Sequence, residues 1–254
     1  MAGRSLIGVG VSVLLAVSPV LSPALVTAAT ADDGGDGDAR ALVREAQRNV
    51  LDATSLRLTL TDRAAAGSGG KLASMDLTLD RDGNCVGSFR MGRGGGGFDI
   101  VKRGDELWMK ADRAYWKAQL HDLGDEAADL VRDRYVHGTT HESPFNDLGH
   151  ACDLRALQKE LSRDTSSEES LTKDGRTRVD GLDVITLRGT ADGVPTTLYI
   201  TADSPHRLVR SVQKGNGTDE TTGVSDYGKP VPSRTPAPGD SVDLSDLQHE
   251  SQRG

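Results

Sequence analysis

The chain has 254 residues, with 30 basic and 38 acidic side chains and a formal net charge of -8. No basic stripe is present to neutralise phosphates, which excludes nucleic acid as a partner and excludes docking on anionic headgroups by charge alone. Aromatic residues make up only 4%, too few for platforms on which sugars or bases stack.

The N-terminus has the three parts of a secretory signal. Arg4 supplies the positive start, and Leu6 to Val17 form an apolar run within the usual h-region length of roughly 7–15 residues. Pro19 and Pro23 then break any helix, and small residues follow, so cleavage is expected near Ala28 or Ala31. An uncleaved anchor is the competing reading, but spanning a bilayer takes about 20 predominantly apolar residues, and the prolines interrupt this run. Residues 1–31 are thus expected to be a signal peptide, and the mature chain to be secreted, working outside the membrane in the cell envelope. Residues 32–38 (DDGGDGD) read as an acidic, Gly-rich linker; they resemble a calcium loop in composition but lack its closing bidentate Glu.

Ala39 to Asp52 place Leu42, Val43, Ala46, Val50 and Leu51 at helical spacing. Strands follow. Ser55 to Thr61 alternates Leu56, Leu58 and Leu60 with polar residues, and Ser74 to Asp80 repeats the pattern with Met75, Leu77 and Leu79. Asn84 to Met91 puts Cys85, Phe89 and Met91 on one side; Phe98–Lys102 and Glu106–Lys110 are joined by an Arg-Gly-Asp turn. Closely spaced strands with Gly/Asp turns make an antiparallel meander, and alternation leaves one face dry and the other wet. Gly92 to Gly97 lacks the Lys-Ser/Thr of a phosphate loop and reads as a flexible hairpin turn.

The period then becomes helical over Ala114–Arg134, and again from Ser143-Pro144, an N-cap and N1 pair, to Leu161. His137, His141, His150 and Cys152 lie close together in sequence, but Gly138-Thr139-Thr140 predicts a loop there, with surface histidines and no metal. A polar connection at 162–170 leads to five further strands between Thr177 and Tyr227. From Gly228 the chain is a Pro-, Ser- and Asp-rich tail expected to wander over the surface or to be disordered. Two cysteines in an exported chain, Cys85 and Cys152, read as a disulfide, closing a loop whose chain-entropy effect is roughly 4 kcal/mol at most.

The strings Gly104–Trp116 (GDELWMKADRAYW), Gly193–Val212 (GVPTTLYITADSPHRLVRSV) and Ser225–Asp243 (SDYGKPVPSRTPAPGDSVD) resemble the actinobacterial LppX/LprG-type lipoproteins, and more distantly the LolA-like carriers. The resemblance covers most of the mature chain and contains no catalytic signature. It implies a half-open β-barrel with helices across its mouth and an apolar cavity that carries acyl chains, glycolipids or lipoproteins through the envelope. The chain departs from the family in lacking a lipobox cysteine, its first cysteine being Cys85. The Cys85–Cys152 pair, if bonded, would limit the opening of the helical lid.

The expected fold is α+β, a single domain over residues 39–227: a strongly curved antiparallel sheet, LolA/LppX-like, with helices on its concave face. The candidate cavity wall is Leu58, Leu60, Met75, Leu77, Leu79, Phe89, Met109, Leu187, Leu198 and Ile200, with Trp108, Tyr115 and Trp116 at the mouth. The expected function is non-catalytic binding of a lipid or other hydrophobic small molecule, as carrier or sensor. No G-x-S-x-G, H-E-x-x-H or Walker pattern occurs, and no cofactor is expected. The alternative is an envelope protein–protein interaction or signalling module with a filled core. Membrane contact, where it occurs, is expected to be transient.

Overall fold

The computed structural model describes residues 34–120, 124–131, 133–143, 145–163, 171–191 and 193–251. The signal peptide expected at 1–31, Pro144 and most of the 162–170 connection lie outside the described residues. Twelve strands and seven α-helices occur among the described residues, numbered along the chain. The class is α+β and, apart from one short parallel pair, every strand pairing described is antiparallel, as expected. The described chain divides into two compact units, one of residues 54–157 and 224–251, the other of 34–53 and 158–223.

The first unit has the strand order β12-β6-β5-β4-β3-β2-β1. Its strands are β1 (Ser55–Asp62), β2 (Leu72–Asp80), β3 (Cys85–Met91), β4 (Gly97–Arg103), β5 (Glu106–Ala111), β6 (Tyr135–Thr139) and β12 (Ser241–Asp243). Local chemistry sets the turns. The Asp80 carboxylate accepts from the backbone N–H of Asp82 at 3.0 Å and of Asn84 at 2.9 Å, which folds the β2–β3 connection without any packing. After β1, Asp62 caps the one-turn helix α2 (Arg63–Ala66) by accepting from the Ala65 N–H at 2.9 Å.

The long helical stretches predicted between β5 and β7 are broken. The first is α3 (Arg113–Leu120) and α4 (Gly124–Val131); the second is α5 (Phe145–Ala151) and α6 (Leu154–Arg163). Asp153 is the breakpoint in the second, its carboxylate accepting from the Ala156 N–H at 2.9 Å. Between them, Tyr135–Thr139 is strand β6 and not the expected loop. Gly138 belongs there because α5 packs close: a Cβ at Gly138 would meet the Phe145 ring at 2.9 Å. The tail also departs from expectation. It carries β12, which pairs parallel to β6, and helix α7 (Leu244–Ser251).

The second unit holds α1 (Gly34–Asp52) and the order β11-β10-β9-β8-β7. These strands are β7 (Thr172–Val179), β8 (Leu182–Ala191), β9 (Val194–Thr201), β10 (Leu208–Gly215) and β11 (Thr218–Ser225). Helix α1 starts inside the stretch read as a linker. Its buried side, Ala39, Leu42 and Ala46, packs on Ile185, Leu187 and Ile200. Asp180-Gly181 and Asn216-Gly217 form the two-residue turns β7–β8 and β10–β11, with φ of 51°, 82°, 52° and 86°. Positive φ at both central residues matches the twist of paired strands, which is why Asp/Asn-Gly sits there.

Candidate ligand-binding face

Successive side chains on a strand point to opposite faces, so strand register assigns each residue of the first unit to a side. Three cross-strand rows lie on one face. The first is Leu56, Leu79, Cys85, Lys102, Leu107 and Gly138; the second is Leu58, Leu77, Gly87, Ile100, Met109 and Val136. The third is Leu60, Met75, Phe89, Phe98 and Ala111. All seven wall residues predicted in this unit fall on this face. Met75, Leu77, Leu79, Phe89 and Met109 are buried, whereas Leu58 and Leu60, at the β1 end of their rows, are only half-buried. The other three, Leu187, Leu198 and Ile200, share one face in the second unit, where α1 covers them.

The face is closed by helix contacts in places. Phe89 stacks on Phe98 with centroids 4.7 Å apart, and Phe98 tilts against Tyr115 of α3 at 4.9 Å. Burial pushes the Tyr115 hydroxyl up to about 12. The Asp112 side chain fixes the start of α3, accepting from the Tyr115 N–H at 2.8 Å and the Gly97 N–H at 2.9 Å. The Gly-rich stretch is moulded to this contact. Gly96 has φ +63°, and a Cβ there would lie 2.2 Å from an Asp112 oxygen. At the other end of the face, the Cys85–Cys152 disulfide, with Cα atoms 5.5 Å apart, ties the first row to the residue after α5.

Trp116 of α3 lines a pocket of about 300 Å³, with Ala111, Arg113, Ala128, Asp129, Val131 and Asp133. Its indole N–H is buried and has no hydrogen-bond partner among the described residues. Of the three aromatics predicted for a mouth, the structure parts Trp108 from the other two. It neighbours Met109 on β5 and so projects to the opposite face, where it stacks on His137 at 4.8 Å.

Sequence reasoning missed two groups. Lys102 is a buried cation in the first row, and its ammonium donates to the carbonyls of Gly83 and Gly104, both at 2.7 Å. Burial lowers its pKa despite the attraction of Asp105, Asp153 and Asp80. The Phe98, Ile100, Lys102 alternation carried the signal for its side. The second group is His137, set between two carboxylates: Nδ1 meets Asp243 at 2.8 Å and Nε2 meets Glu106. Those partners lie on either side of the ring, and the described residues contain no group of three His, Cys, Asp or Glu able to hold a metal ion. No described helix is long and apolar enough to cross a membrane.

Comparison with solved structures gives LprF from Mycobacterium bovis, 17% identical, covering 80% of this chain and 99% of that one at a TM-score of 0.53. The chain has the LprF fold. A second similar structure is the Mycobacterium tuberculosis lipoprotein LppX, 16% identical, covering 78% of this chain and 100% of that one at a TM-score of 0.48. No family model matches the chain, and no curated protein matches it in sequence. The likeness to LprF was legible only in soft strings of strand, turn and strand, since at 17% identity few positions coincide.

Proposed function

We propose that the chain is an exported, non-catalytic protein that binds a hydrophobic ligand, acyl chains or a whole lipid, as a carrier or sensor in the cell envelope. The observation that carries this reading is the three-row apolar face, on which Leu58 and Leu60 remain half-buried. Burying a methylene stabilises by about 0.8 kcal/mol, so ten methylenes supply about 8 kcal/mol, which corresponds to a dissociation constant near 1 μM. Affinity of that kind requires no polar recognition. The N-terminal segment read as a signal sequence supports export.

The test is titration with a fluorescent fatty-acid probe. The native chain is expected to take it up, and the double variant Leu58→Gln, Leu60→Gln to lose it while keeping its melting temperature within a few degrees. Uptake unchanged by that variant would remove the apolar face from the account. The second reading, an interaction module with a filled core, draws on the packing of Phe89, Phe98 and Tyr115; it predicts no uptake by either protein.

A further inference from the structure

But for β12, strand β6 would be the edge of the first unit, and the pairing that covers it is short. Strand β12 pairs with it over three residues: Ser241 opposite Tyr135, Val242 opposite Val136 and Asp243 opposite His137. The ladder stops there, and the Thr139 N–H beyond it is taken by Glu142 at 2.6 Å. The covering segment has little of its own in the core, since no residue from Ser225 to Leu247 is fully buried. It is anchored at Gly228 and Lys229, where the Gly228 N–H donates to the Ser55 carbonyl at 2.8 Å and the Ser55 hydroxyl to the Lys229 carbonyl at 2.6 Å. From there to β12 it runs through Pro230, Pro232, Pro236 and Pro238 without a strand or α-helix. Helix α7, which follows β12, also packs against β6, and Val242 continues the middle row beside Val136, so release of this segment would uncover only the outer end of that row.

His137 gives this edge a chemical preference. Its ring stacks on Trp108, and Nε2 is held by Glu106 from the adjacent strand β5. The other nitrogen, Nδ1, faces the strand beyond the edge, where it meets the Asp243 carboxylate. A neutral imidazole has one N–H and cannot donate to two carboxylates; the imidazolium can. The side chain is thus built to read an anionic residue at one register position. We propose that the β6 edge is a docking site for an extended peptide carrying an acidic residue opposite His137, and that β12 is the chain's own occupant of that site. The occupant shows what the edge accepts: a small polar residue, a β-branched apolar one and a carboxylate, running parallel to β6. Backbone pairing supplies the attachment and alternate side chains supply specificity. The His137 side chain that reads the acidic residue lies on the face opposite Met109 and Val136, so that preference stands whether or not the apolar rows hold a ligand, while Val242, opposite Val136, extends the middle row.

A tethered occupant competes at an effective concentration on the order of millimolar, so the full chain should resist added peptide until its own contact is weakened. The probe is a labelled synthetic peptide of residues 236–247, titrated against the full chain and against its D243N and H137Q/D243N variants. Asp243 is exposed and His137 is half-buried on the face away from the apolar rows, so neither substitution removes a core side chain. The D243N chain should bind the peptide at least about tenfold more tightly than the native chain, and a peptide with Asn at position 243 should lose that gain. In H137Q/D243N the Asp and Asn peptides should bind alike. Equal affinity of the two peptides for the D243N chain, or no peptide binding to it, would overturn the proposal.

Discussion

At the scale of single residues, His137 carries the clearest pH dependence. Its partial burial disfavours charge, yet the hydrogen bonds to Glu106 and Asp243 outweigh that and leave its pKa raised above the ordinary value. The charged groups around it are Glu106 from β5, Asp243 from β12 and Glu142 from the segment after β6, all acidic. A raised folded-state pKa means that the stabilisation is complete below the unfolded value of about 6.5 and is lost as pH rises through the folded one. Amides of β6 and β12 are therefore expected to be best protected from hydrogen exchange near pH 6, after correction for intrinsic rates. Their protection should decline as the ring deprotonates, and H137Q should abolish the decline; the same corrected profile in both proteins would count against it. Gly96 makes a second prediction. An alanine there meets both an unfavourable φ and the Asp112 carboxylate, so Gly96→Ala should cost more than about 1 kcal/mol in urea unfolding. The sequence marked neither residue: a glycine run reads as looseness, and a histidine beside Gly-Thr-Thr reads as loop.

Among the elements, legibility follows periodicity. Strands β1, β2 and β5 alternate, and the residues expected on one side of β1 to β5 share one face by register, although β4 is buried on both faces. Strand β6 was not legible, because of its five residues only Val136 is both apolar and buried; Gly138 stays in the strand to admit Phe145. The helix breaks were hidden for a similar reason, since an apolar period persists across a cap such as Asp153. The Cys85–Cys152 bond joins a central strand to a helical element. Reducing it should lower unfolding stability by up to roughly 4 kcal/mol, read as a lower urea midpoint; an unchanged midpoint would show that the bond contributes nothing to the fold. Leu77, buried in the middle row, should not tolerate Leu77→Asp, which is expected to unfold the chain. A folded Leu77→Asp protein that binds the probe normally would mean the inner face is wrongly assigned.

For the molecule as a whole, the α+β class and the fold shared with LprF agree with what strand count, turn chemistry and local resemblance implied. What the linear pattern did not reveal is how the chain ends. Residues beyond Gly228, read as a wandering tail, return to pair with β6, because three extended residues and one carboxylate suffice at an edge that already presents backbone groups and an imidazole. The central claim, that the apolar face receives a lipid, is tested most directly by native mass spectrometry of the protein purified from an actinobacterial host, with organic extraction of its cargo. The account predicts a discrete lipid adduct at near-stoichiometric level. A clean apo mass, with no lipid in the extract, would contradict it.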